Sequence, residues 1–209
     1  MPGRAVCASV EVTVRGAYPT APGHEVAASE DAQAWPQLVH LRDGSLVTVR
    51  PVRADDEAAL RIFLAGLCVE ARRLRFFSAA TDTVRAAHLA ADTSTGHYGL
   101  VAHDESGMIV GHAVYVLLDP ARAEVAVEVA DRLHGCGLGT ILIERLAIVA
   151  ERRGITRFVA EVLCENRAML DVFREGFDAR VLHREGPEEK VEFLTSGWRL
   201  ANQRFGSGS

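Results

Sequence analysis

Lysine is nearly absent from this sequence: Lys190 is the single one among 23 basic residues. The arginine bias is what a GC-rich gene produces and carries no mechanism. Long apolar runs are also missing. None approaches the roughly 18 residues of a membrane-spanning helix, and the N-terminal MPGRAVCASVEVTVRG lacks the sustained apolar stretch of a secretory signal. Cysteine is sparse and scattered: Cys7, Cys68, Cys136 and Cys164 show no CxxC and no Cys/His ligand spacing. That pattern excludes a disulfide framework and a structural metal site, and fits a reducing cytoplasm. Net positive charge is lacking too. At −5 and a pI near 5.9, the chain is no general nucleic-acid binder. Its one basic cluster, ARRLRFF at 71–77, reads as a solvated helix face with Phe76 and Phe77 buried.

What is present suffices for one sizeable core: 209 residues, 48% hydrophobic, with mean hydropathy +0.07. Residues 1–38 are rich in Ala, Pro and Gly without strand or helix period and read as a flexible extension, with a short strand at VEVTV. Residues 39–200 form one domain, and 201–209, ending GSGS, read as a linker or appended tail. Within the domain, SLVTVRPV is a strand. RADDEAALRIFLAGL is a helix with Asp55 as N-cap and Leu60, Phe63, Leu64 and Leu67 on one face. After a second helical stretch, HYGLVAHD and MIVGHAVYVLLD make a hairpin across Glu105, Ser106 and Gly107. The strand RAEVAVEVAD, the amphipathic helix LGTILIERLAIVAERRG, the strand ITRFVAEVL, the short helix ENRAMLDVFREG and a closing strand pair complete an α+β order.

Between RAEVAVEVAD and the long helix stand Gly135, Gly137 and Gly139. A nucleotide P-loop needs a lysine after its last glycine, and none is there. A dinucleotide fingerprint needs glycine at 140, which is Thr140, and belongs after a first strand rather than a fourth. Two readings remain: tight packing of a turn, which explains one glycine better than three, and a pyrophosphate cradle, in which glycines let successive N–H groups converge on an anion that the positive helix end also attracts.

HGCGLG at 134–139 resembles the acetyl-CoA motif Q/R-x-x-G-x-G/A of the GNAT N-acetyltransferases. The flanking strand and helix, ENRAML, and the Gly176–Phe177 pair fall in the family's order. More narrowly, HLRDGSLVTVRPVRADDEAALRIFLAGL and ARRLRFFS resemble the acetyltransferase domain of bacterial Pat-type protein lysine acetyltransferases. The resemblance implies a mixed, mostly antiparallel sheet flanked by helices on both faces, and acetyl-CoA as acyl donor with no metal. It further implies protein substrates with reactive lysines, such as AMP-forming acyl-CoA synthetases, and a fused acyl-CoA-synthetase-like or regulatory domain. No nucleic-acid or membrane partner is expected. His134, Gly135, Cys136, Gly137, Leu138, Gly139 and Thr140 would hold the pyrophosphate. Amides around Val127 and Val129 would grip the pantetheine arm and thioester carbonyl, and Asn166 would face that arm.

Amide formation needs a neutral amine, yet a lysine of pKa about 10.4 is neutral in only about one molecule in 2,500 at pH 7, a deficit of roughly 4.6 kcal/mol. A carboxylate near the thioester relieves it. Alternation puts Glu124, Ala126 and Glu128 on one face of their strand. Glu124, ten residues before the motif and close to where relatives carry a catalytic glutamate, is the expected general base, with Glu128 in reserve or orienting the amine. His134 departs from the family's Gln or Arg, and Phe173 stands where many members place a tyrosine acid. A small-molecule or N-terminal amine as acceptor, and an acyl-CoA sensor without turnover, remain alternatives.

Overall fold

The computed structural model describes residues 7–8, 35–76 and 82–197. Its strands are β1 (Cys7–Ala8), β2 (Gln37–His40), β3 (Leu46–Pro51), β4 (His97–His103), β5 (Ile109–Asp119), β6 (Arg122–Val129), β7 (Arg157–Leu163), β8 (Arg180–Glu185) and β9 (Glu188–Leu194). Its helices are α1 (Glu57–Gly66), α2 (Val69–Phe76), α3 (Thr83–Ala90), α4 (Leu138–Arg152) and α5 (Arg167–Asp171). The strands make one sheet in the order β2-β3-β4-β5-β6-β7-β9-β8, with β1 beside β6. Among the described pairings only β6–β7 is parallel.

Both faces are covered, as the resemblance implied. Val125, Val127 and Val129 join Leu138, Leu142, Ile143 and Leu146 of α4 in the larger core. On the other face Val101 and Ile109 meet Leu60, Phe63 and Leu64 of α1 and Ala87 of α3. The hairpin expected across 105–107 is β4–β5, and the closing pair is β8–β9. Three elements go beyond the sequence reading. Cys7–Ala8, inside the stretch read as a flexible extension, pairs with β6; QLVH, which begins before the expected domain boundary at 39, pairs with β3 as a further strand; and the second helical stretch is two helices. The strand expected at VEVTV, the Phe76 and Phe77 side chains, and the GSGS tail lie outside the described residues.

Asp55 is not the cap of α1. Its neighbour Asp56 accepts from both Arg50 Nη atoms at 2.7 Å and from the Arg53 N–H at 2.8 Å, because the chain enters α1 through a 3₁₀ turn at Ala54–Asp56. Burial pushes the Asp56 carboxyl up, but the Arg50 and Arg53 hydrogen bonds outweigh it and hold the group below its ordinary value. A depressed folded pKa stabilises above the unfolded value, near 3.9, and the contribution fades as pH falls through the folded one. Asp56→Asn is therefore expected to cost about 2 kcal/mol at pH 7 and progressively less below about pH 4. Urea melts at pH 7 and pH 2.5 check this; an equal cost at both would contradict it.

Candidate active site

The site is built where β6 leaves β7. Their parallel pairing covers only Arg122–Glu124 against Arg157–Val159, whereas β6 stays paired with β5 to Val129. Beyond Glu124 the two central strands diverge, and a fork opens toward the glycine turn. The backbone aims into it. The Ala130 N–H donates to Val110 O, so the Val129–Gly111 pair is a non-hydrogen-bonded one. Alternation then turns the N–H and C=O of Val125, Val127 and Val129 away from β5 and into the fork. The described residues show what this edge accepts. Cys7 and Ala8 lie along it antiparallel, opposite Glu128 and Val127. An extended chain carrying amides fits there, and the pantetheine arm, with two amides, is such a chain; binding on the same edge would displace β1.

At the head of the fork stands the turn. Gly135 and Gly137 have φ of +79° and +90°, a conformation that disfavours any side chain. A Cβ on Gly135 would meet nothing within 4 Å, so open space lies over the turn. The first bond inside α4 runs from Ile141 N to Gly137 O. The N–H groups of Leu138, Gly139 and Thr140 therefore point out of the helix start without intrahelical partners. Leu138 and Gly139 are themselves buried and contribute backbone. Positive φ, open space and N–H groups left free at a helix start are what an anion such as a pyrophosphate can use.

The His134 side chain, 3% exposed, is turned inward, its Nε2 2.9 Å from Val129 O. It caps the last carbonyl that β6 turns into the fork. Cys136 Sγ lies 3.3 Å from Asp43 Oδ2. Burial, then Asp43, push this thiol up, which suits an inert sulfur rather than an acyl-accepting nucleophile. Asn166 is buried and caps α5 through Met169 N at 3.3 Å. Phe173 is buried and stacks on Phe193 at 5.0 Å. No acid stands at its position.

The carboxylates of β6 differ sharply. Glu124 is half-buried at the fork's base, between Val116 of β5 and Val159 of β7. Glu128, on the same face, is 1% exposed, with Oε1 2.8 Å from Nδ1 of the fully buried His112. His112 Nε2 finds no hydrogen-bond partner among the described residues. A histidine within the apolar run of β5 was the visible signal for this pair. Gly99 makes room on that face. A Cβ there would sit 2.8 Å from Val52 Cγ2 and 3.4 Å from His112 Nε2. Gly99→Ala is expected to cost about 1–3 kcal/mol by overpacking, read by thermal melting; an unchanged midpoint would contradict it.

A strap crosses the fork. Cys68 N, at the α1–α2 junction, donates to Asp131 Oδ2 at 2.9 Å after β6. Arg73 of α2 pairs with Glu165 after β7. These distant partners carried no signal in the sequence. Among the described residues no group of three or more His, Cys, Asp or Glu side chains could hold a metal ion, and no helix is long and apolar enough to cross a membrane.

The chain belongs to the acetyltransferase (GNAT) family, whose model matches residues 52–177 and so spans the splayed β6–β7 pair and the glycine turn. It is similar to an acetyltransferase of Pseudomonas aeruginosa, 30% identical over 63% of this chain and 74% of that one. It is also similar to the crystallised GNAT domain of S. lividans PAT, 30% identical with a TM-score of 0.69, covering 77% of this chain and 97% of that one. A cAMP-binding acyltransferase from Mycobacterium smegmatis shares the fold at 24% identity and a TM-score of 0.54, over 77% of this chain and 47% of its own.

Proposed function

We propose that this acetyltransferase modifies lysine side-chain amines of protein substrates, with Glu124 as general base. The observation that carries the reading is the position of Glu124: a partly solvated carboxylate at the base of the fork, on the face opposite the α4 core. The bound cosubstrate supplies an activated acetyl thioester. An amine entering from the Glu124 face would approach the thioester along the strand edge, its cationic head drawn to the carboxylate. Glu124 then removes a proton, directly or through a water, as the nitrogen attacks. The inward N–H groups of Val127 and Val129 fix the arm and stabilise negative charge developing on the thioester oxygen. With Phe173 in place of an acid, the thiolate leaves unaided or is protonated by water, which a thiol pKa near 8.5 permits. Glu128, closed off beside His112, serves this chemistry less directly than Glu124.

Support for a protein acceptor comes from the likeness to the PAT GNAT domain, which spans nearly all of that domain. AMP-forming acyl-CoA synthetases are the proposed partners. Incubating one with this protein and acetyl-CoA, then mapping modified lysines by mass spectrometry, tests the reading. Stoichiometric acetylation at one or a few lysines is expected. Transfer to free amines, with folded proteins unmodified, would replace it with a small-molecule acetyltransferase.

A further inference from the structure

The cradle lies on backbone N–H groups, yet coenzyme A brings several phosphate charges, and the turn itself offers no free cation. The His134 Nε2 is engaged with Val129 O in a nearly buried side chain. Position 136 is a cysteine bound to Asp43. Arg132, just before the turn, is committed to Asp104 at 2.5 Å. Arg42 is different. Its backbone N–H donates to Cys136 O at 3.1 Å, so the turn after β2 is fastened to the glycine turn. Its side chain then lies along Gly137: a Cβ on that glycine would meet Arg42 Nε at 3.5 Å and its Cδ and Cγ at 3.7 Å. The side chain is exposed, and Arg42 enters no ion pair among the described residues. The neighbouring Asp43 faces Ser45 and Cys136 instead.

We propose that Arg42 is a cofactor-positioning residue, its guanidinium closing the cradle from outside the motif and pairing with the pyrophosphate of coenzyme A. The physical case is charge and geometry. A planar guanidinium matches phosphate oxygens in two-point hydrogen bonds, and here it overlies the glycine at which the helix N–H groups begin to converge. A cation from a separate hairpin replaces one the motif does not carry. Gly137 takes a second role besides its positive φ, since a Cβ there would already touch Arg42 at 3.5 Å and a side chain larger than alanine would crowd it.

Isothermal titration of coenzyme A and of dephospho-coenzyme A, which lacks the 3′-phosphate, into wild type, Arg42→Gln and Arg42→Lys tests this. Arg42→Gln is expected to weaken both ligands by about tenfold, with equal melting temperature without ligand, and to flatten the salt dependence of binding. Arg42→Lys should recover part of the loss. Unchanged affinity in Arg42→Gln would overturn the proposal. So would a loss seen with coenzyme A but not with the dephospho form, which would move the arginine to the 3′-phosphate. The inference rests on acetyl-CoA use, not on the acceptor. Because the titration reads binding alone, a failure to acetylate proteins leaves it intact.

Discussion

Glu124→Gln is expected to lower turnover by about 10²- to 10⁴-fold, the usual loss for a general base, with acetyl-CoA affinity unchanged. The split follows from placement. Glu124 stands where β6 and β7 part, whereas the glycine turn proposed to take the pyrophosphate lies beyond the other end of β6. The isosteric change keeps the strand and the side chain's shape and removes the proton acceptor. A signature separates this from a structural defect. As pH rises toward the amine pKa near 10.4, neutral amine becomes abundant and the missing base matters less, so the deficit of the variant should narrow. Steady-state rates from pH 7 to 9.5 with calorimetric affinities check both points. Near-normal turnover at pH 7, or a deficit independent of pH, would contradict the assignment.

Gly137→Val should abolish measurable acetyl-CoA binding. Three effects combine at one atom. The φ of +90° is strained for a β-branched residue. The new side chain would point at Arg42, 3.5–3.7 Å from its Cβ. Its methyl groups would also stand beside the start of α4, where the proposed pyrophosphate site lies. Gly135→Ala makes the comparison, because open space surrounds its Cβ and only the φ of +79° is violated. It should bind more weakly than wild type yet better than Gly137→Val. Affinity unchanged in Gly137→Val would show a turn that serves packing alone.

Motif and periodicity carried the architecture because they are local. Alternation put Glu124 and Glu128 on one face, the glycines marked the helix start, and hairpin and helix boundaries followed turn residues and apolar spacing. What stayed hidden depends on long-range pairing. The fork exists because β6 and β7 share only three residue pairs, a register no local pattern encodes. The two glutamates looked alike in sequence. They differ because Glu128 lies opposite His112 in the ladder and Glu124 opposite Val116. Arg42 sits 95 positions before Gly137, and nothing local in HLRDG announces its contact with the glycine turn. The cap of α1 moved from Asp55 to Asp56 for a nearer reason, a 3₁₀ turn that Arg50 and Arg53 stabilise.

The most direct test is thiol release from acetyl-CoA with an AMP-forming acyl-CoA synthetase as acceptor, wild type beside Glu124→Gln. Release that requires both the acceptor and Glu124 is the expected result. Binding of acetyl-CoA without acceptor-dependent release, in wild type as in the variant, would contradict a protein lysine acetyltransferase working through this carboxylate.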